Sequence, residues 1–405
     1  MLHQSLHPGN KRSSARRDGL PRAGAAWSNT CNLGGGMAPR LSRLLPIARW
    51  LPAYRRADAP RDLVAGVTTA VMLIPQGMAY AMLAGLPPIV GLYASTLPLV
   101  AYALVGTSRQ LAIGPVAIDS LLVAAAVGSL ASVGSDAYLA HAIALAAMVG
   151  IIEVTLGALR AGFLVNFLAQ PVVSGFTSAA ALVIGLSQAP NLLGVTLPRG
   201  QPFHAQLAAL AGALPQSHAP TLLVGLAAIV LLLLARRLGP RVPGALLVVA
   251  ITTLAVWGLD LDAAGVAIVG VVPAGLPPLA LPTFELDALG SLLPTALTIA
   301  FVGYMEAISV ARAFARKHRY EIDANQELLG LGLANAAASV CGGYPITGGF
   351  SRTAVNAQAG ARTPLAGIIT AAVIVAALLL LTPLLYYVPK ATLAAIIVVA
   401  VAGLV

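Results

Sequence analysis

The chain is predicted to be an all-α polytopic membrane protein in two related halves, and three observations carry that reading. Of its 405 residues 58% are hydrophobic and only 9% charged, with a mean hydropathy of +0.87; soluble domains carry about 25% charged residues. About twelve apolar segments follow one another at the length of a bilayer crossing, ~20 residues each. Two of them, 114–131 and 349–362, are preceded by short β-prone or glycine-rich pieces, as expected of half-helices that begin partway through a membrane.

Residues 1–57 are read as a cytoplasmic N-terminal tail and interfacial lead-in. Residues 1–36 are polar and basic and lack the unbroken apolar core of a secretory signal. Met37 precedes an amphipathic stretch, Leu41 to Leu51 with Trp50, suited to a membrane surface, so translation starts at Met1 or at Met37. Residues 58–259 form the first transmembrane repeat, with spans at 62–83, 89–106, 114–131, 138–159, 167–194, 219–236 and 243–259. An external linker rich in Pro, Gly and Val covers 260–287. The second repeat, 288–405, has spans at 288–312, 325–342, 349–362, 364–385 and 391–405. The first half contains an odd number of spans, so the second enters the membrane with opposite orientation.

Loop charge tests this topology, because Lys and Arg collect on the cytoplasmic side. With the N-terminus inside, Arg109, Arg160, Arg236, Arg237, Arg241, Arg312, Arg316, Lys317, Arg319 and Arg362 fall inside; Arg199 and Lys390 fall outside. The opposite loops hold Asp136, Asp260, Asp262, Glu285 and Asp287. The formal net charge of +10 is therefore spread over the tail and short loops and makes no nucleic-acid face. Cys31 and Cys341 lie in unlike surroundings and imply neither a disulfide framework nor a metal motif.

The stretch from Gly342 to Asn356, GGYPITGGFSRTAVN, is the most costly in the chain. Arginine near a bilayer centre costs roughly 2.5–3.5 kcal/mol on insertion scales, so Arg352 needs a partner or a task. Ser351 and Arg352 stand where a new helix begins, and backbone N–H groups with a positive dipole end favour an anion there. The corresponding feature of the first half is Leu111 to Pro115 followed by Val116 and Ala117. Broken helices at matching positions of two inverted halves point to a binding site at the midplane.

Asp119, Glu153, Glu306 and Arg352 are the ionisable residues singled out within the spans. Arg352 either coordinates an anion or hydrogen-bonds loop carbonyls. Glu306, in YMEAIS, has small and apolar neighbours that let a carboxyl take up and release a proton, acting as a relay with Arg352 or as a structural ion pair. Asp119 and Glu153 are read as interhelical hydrogen-bonding groups. Gln76 and Tyr80, four apart in IPQGMAY, share a helix face and can both donate to an anion or serve helix packing. No HExxH motif, paired catalytic aspartates or Ser/His pair lies within the spans, so no enzyme, cofactor or metal is expected.

These motifs together resemble the SulP anion transporters. The resemblance runs from about residue 58 to the end, through PQGMAY with LPP and GLY after it, GTSR and GPV (106–109, 114–116), EAIS (306–309), NQEL (325–328) and FSRTAVN (350–356). Tyr320 to Asp323 with the Tyr344–Arg352 stretch is most similar to the sulfate-transporting branch. The resemblance implies an inverted seven-plus-seven helix repeat divided into core and gate domains. It places the anion between the starts of the third and tenth helices. Carried onto this chain, Ser351, Arg352 and Phe350 with Gln76 and Tyr80 would bind the anion, Val116 and Ala117 would offer backbone N–H groups, and Glu306 would be the proton-coupling carboxylate. Sodium-coupled bicarbonate members place a second acid one helical turn away. Val302 and Val310 stand at the neighbouring turns here, which argues for protons.

The resemblance further implies secondary active transport of sulfate or a related oxyanion with protons, by an elevator-like movement, in the inner or plasma membrane and as a homodimer in the lipid bilayer. Alternatives on the same scaffold are an anion channel, a chloride/bicarbonate exchanger, or a fragment that does not transport. Two departures stand out. The chain stops at Val405, inside the twelfth helix of that pattern and before the family's STAS domain. Asp119 also replaces what is usually an apolar residue.

Overall fold

A computed structural model describes residues 45–163, 170–197, 203–237, 244–273 and 275–402. The tail with Cys31 and Met37, together with Arg199 and Arg241, lies outside the described residues.

The described residues are mostly helical, and a helix falls within each of the twelve expected spans. After one helical turn at Ile47–Trp50 come α1 (Ala59–Leu83), α2 (Pro88–Tyr93), α3 (Leu97–Val105), the strand β1 (Ile113–Gly114), α4 (Ala117–Gly128) and α5 (Asp136–Ala158). Next are α6 (Gln170–Leu193), α7 (Phe203–Ala213), α8 (Ala219–Arg237) and α9 (Gly244–Gly258). The last part holds α10 (Leu286–His318), α11 (Ala324–Val340), β2 (Thr347–Gly348), α12 (Phe350–Gln358), α13 (Leu365–Leu380) and α14 (Lys390–Val401). Among the described residues, five stretches are long and apolar enough to cross a membrane: 56–83, 88–105, α5, α8 and 287–318.

Local chemistry sets several of these boundaries. Ser135 caps α5 by accepting from the Tyr138 N–H, and Asp323 caps α11 by accepting from Asn325 and Gln326, satisfying first-turn donors that have no partner within the helix. At the other end of α10, Arg316, Lys317 and His318 occupy the last turn and Arg319 takes the left-handed conformation at φ 57°, so positive charge meets the negative helix end. The span expected at 89–106 is two helices. Its break lies at Ser95 and Thr96, and Pro98 fits the first turn of α3, where its missing N–H costs nothing. The helix α7 was not anticipated from the sequence.

The helices pack as two groups. One joins α1, α3, α4, α5, α10, α11, α12 and α13; the other joins α6, α8, α9 and α14, which meets the first mainly along α1. Within the larger group α5 and α11 make the most extensive contact, and glycines explain its closeness. A Cβ on Gly332 would stand 2.6 Å from the Val154 nitrogen, and one on Gly150 would stand 2.8 Å from the Gly332 carbonyl oxygen. Side-chain-free crossings of this kind let backbones approach where no water is available to drive association.

Two buried carboxylates lock the early and late parts of the chain together. Glu327 on α11 accepts from the backbone N–H groups of Thr107 (2.7 Å) and Ser108 (3.0 Å) and from the hydroxyls of Thr107 and Tyr102 (both 2.6 Å). Asp62 on α1 accepts from the N–H groups of Arg362 and Thr363 and from the Thr363 hydroxyl. Both lie at helix beginnings, and the sequence reading did not single them out.

Candidate functional site between two half-helices

Both extended pieces expected ahead of the half-helices are strands, and they pair. Ile113 stands opposite Gly348 and Gly114 opposite Thr347 in an antiparallel ladder. Because the ladder is antiparallel, α4 and α12 leave it from opposite ends. The connections are cross-braced. The Ala112 N–H donates to the Thr353 hydroxyl at 3.1 Å, the Gly349 N–H to the Ala112 carbonyl at 3.2 Å, and the Asn356 amide to the Gln110 carbonyl at 2.9 Å.

Neither half-helix is capped by a side chain: Val116 precedes α4 and Gly349 precedes α12. Each start therefore keeps first-turn N–H groups and a positive dipole end of about half a charge.

Arg352 occupies the space between them. It is 1% exposed and the largest fully buried side chain among the described residues. Its Nη1 donates to the Pro115 carbonyl, in the lead-in to α4, and to Gln76 Oε1 at 3.4 Å; its Nη2 reaches the Thr347 carbonyl at 3.5 Å. Its Nε is buried with no acceptor. Gly349 makes room for this arrangement, since a Cβ there would lie 3.0 Å from Nη2. All three acceptors are neutral, so the guanidinium charge is solvated by dipoles with no carboxylate touching it, and a buried cation held this way favours an incoming anion.

The remaining candidates divide. Gln76 (2% exposed) and Tyr80 (5%) are on one face of α1 as their spacing requires, and Gln76 Nε2 donates to the Tyr80 hydroxyl at 3.0 Å. Val116 and Ala117 are buried at the α4 start. Glu306 lies on α10 within electrostatic reach of Arg352, with Oε2 buried and unpartnered. Ser351 and Phe350 are exposed, and the Phe350 ring rests 6.2 Å from that of Phe314. Glu153 accepts from Asn335 Nδ2 at 2.8 Å, joining α5 to α11 as a hydrogen-bonding acid should. Asp119 differs from its expected role, because neither of its carboxyl oxygens has a hydrogen-bond partner.

The sequence profile of the sulfate permease family matches residues 60–405. The chain belongs to that family. Among curated relatives it is 42% identical to sulfate transporter 4.1, chloroplastic, of Arabidopsis thaliana over 372 residues, covering 90% of this chain and 54% of the relative. It is 37% identical to a probable sulfate transporter of Mycobacterium tuberculosis, covering 87% and 64%. The chain thus spans between about half and two thirds of the length of these relatives. Solved structures of the same fold include the murine Solute Carrier 26 family member A9 anion transporter in the inward-facing state, with TM-score 0.85 at 28% identity over 93% of this chain and 65% of that one. The transmembrane domain of the cyanobacterial bicarbonate transporter BicA aligns with TM-score 0.79 at 27% identity, over 87% and 90%. A multi-pass membrane fold of family members is thereby placed on this chain.

Proposed function

We propose that the protein carries an inorganic oxyanion, sulfate, across a membrane by secondary active transport coupled to protons. The observation that carries this reading is the buried Arg352 guanidinium between two uncapped half-helix starts. Two helix ends of about half a charge each, added to one guanidinium, total about two positive charges, which matches a dianion. The names of the family relatives support sulfate as the substrate class.

In this reading the anion enters between the α4 and α12 starts and takes the place of the Pro115 carbonyl and Gln76 amide on the Arg352 fork. Gln76 and Tyr80 turn to donate, as do the N–H groups of Val116 and Ala117. Exposed in this conformation, Ser351 and Phe350 line the approach. Glu306 takes up a proton as the anion binds, since a neutral carboxyl leaves the Arg352 field to the substrate. The separation of the helices into two packed groups supports an elevator-like movement of one group against the other, with the N-terminus cytoplasmic.

The test is uptake of labelled sulfate by proteoliposomes with and without a proton gradient. Acidification of the entry side is expected to drive accumulation, and Glu306→Gln is expected to abolish the effect of the gradient while sparing exchange of sulfate for sulfate. Uptake indifferent to the gradient removes proton coupling. Electrogenic, proton-independent flux assigns a channel or a chloride/bicarbonate exchanger on the same scaffold.

A further inference from the structure

Asp119 is a buried acid to which the mechanism above gives no part. It lies in the first turn of α4, is 0% exposed, and both of its carboxyl oxygens lack a hydrogen-bond partner. A carboxylate in that state has lost its hydration without replacement, so its charge is costly there. Its Oδ2 lies 3.5 Å from the point where a Cβ on Gly303 would stand. Gly303 precedes Glu306 by three residues on α10, which puts both on one face of that helix. The two carboxyls sense each other electrostatically, and Glu306 Oε2 is likewise buried without a partner.

The other elements around α4 supply few charges. Groups within electrostatic reach of Asp119 are Glu306 from α10, Glu153 from α5 (engaged by Asn335), and Tyr344 from the segment leading into β2. The described part of α6 contributes no titratable group. Carboxyls that sense each other's charge take up and release their protons as a coupled pair. Asp119 also stands at the α4 start, where its negative charge would use the same helix dipole that the anion needs. Ionised, it competes with the substrate; protonated, it releases the helix end.

We propose that Asp119 is a second proton-carrying carboxyl, paired with Glu306, so that the site takes up two protons as a dianion binds and gives them back to water when it leaves. This rests on the reading of the site as a proton-coupled sulfate carrier and deepens it. One O–H bond forms on each carboxyl, and the two protons balance the two charges of sulfate. The second acid stands on a different helix from Glu306, where spacing along α10 could not reveal it.

The experiment is calorimetric titration of the purified protein with sulfate, in buffers of different ionisation enthalpy and over a range of pH, giving protons bound per sulfate. On the alkaline side the wild type is expected to approach two protons, so that affinity falls about a hundredfold per pH unit, against about tenfold for Asp119→Asn and for Glu306→Gln. Asp119→Asn is expected to bind as tightly as wild type in acid, and Asp119→Val serves the same purpose if the asparagine variant does not fold. An unchanged proton count in both Asp119 variants overturns the proposal, with Asp119 then a permanently neutral structural group, and leaves the function reading intact. A requirement for sodium overturns it as well. Absence of sulfate binding at every pH overturns the function reading itself. Infrared difference spectra of the protein without sulfate provide an independent readout: acid minus alkaline spectra should lose one protonated-carboxyl band in Asp119→Asn, and no such loss overturns the proposal.

Discussion

Arg352, in the first turn of α12, donates to the carbonyl of Pro115, in the lead-in to α4, and so joins two segments that lie 237 residues apart. The contact puts the only buried guanidinium among the described residues where both half-helix dipoles converge. Arg352→Ala is expected to abolish sulfate uptake. It also leaves the Pro115 carbonyl and Gln76 short of a donor, at about 1–3 kcal/mol for each unsatisfied group. Arg352→Lys keeps the charge without the planar fork, and is expected to retain measurable uptake with KM raised about tenfold or more. Uptake assays on the two variants, normalised to protein in the membrane, check both outcomes.

Gln76 links Arg352 to Tyr80, so the effects of changing them should not add. Tyr80→Phe removes the acceptor for Gln76 Nε2 and leaves a buried donor unpaired, at about 1–3 kcal/mol. Gln76→Leu removes both contacts at once. In a double-mutant cycle on sulfate affinity, the pair is expected to show a coupling of about 0.5–3 kcal/mol. Simple additivity would place Tyr80 outside the binding network.

Glu327 is expected to govern stability. Glu327→Leu strips acceptors from the N–H groups of Thr107 and Ser108, each left unpaired at about 1–3 kcal/mol. Glu327→Gln keeps one carbonyl oxygen for those donors and turns its amide toward the Tyr102 hydroxyl, which can accept. Thermal unfolding in detergent should therefore show a large loss for leucine and a small one for glutamine.

At the α5–α11 crossing, Gly332→Ala places a methyl 2.6 Å from the Val154 nitrogen. Backbone cannot move aside as a flexible side chain does, so overpacking of about 1–3 kcal/mol or more is expected. A lowered melting temperature or loss of expression checks it, and an unchanged melting temperature would show that the helices separate freely.

The membrane class, the helix-bearing spans and the two broken helices were legible in the sequence because each follows from local rules. Apolar length sets a span, a glycine-rich extended piece followed by a helix former marks a mid-membrane start, and an arginine in such a stretch is too costly to be incidental. The four-residue spacing of Gln76 and Tyr80 placed them on one face for the same local reason. What only tertiary structure decided are relations between distant segments. These include the pairing of Ile113 with Gly348, the choice of the Pro115 carbonyl as an Arg352 acceptor, the exposure of Ser351, and the clamps made by Asp62 and Glu327. Above all, the approach of Asp119 toward Glu306 arises from α4 packing on α10, since periodicity constrains neighbours along one helix and says nothing of which second helix supplies the charge.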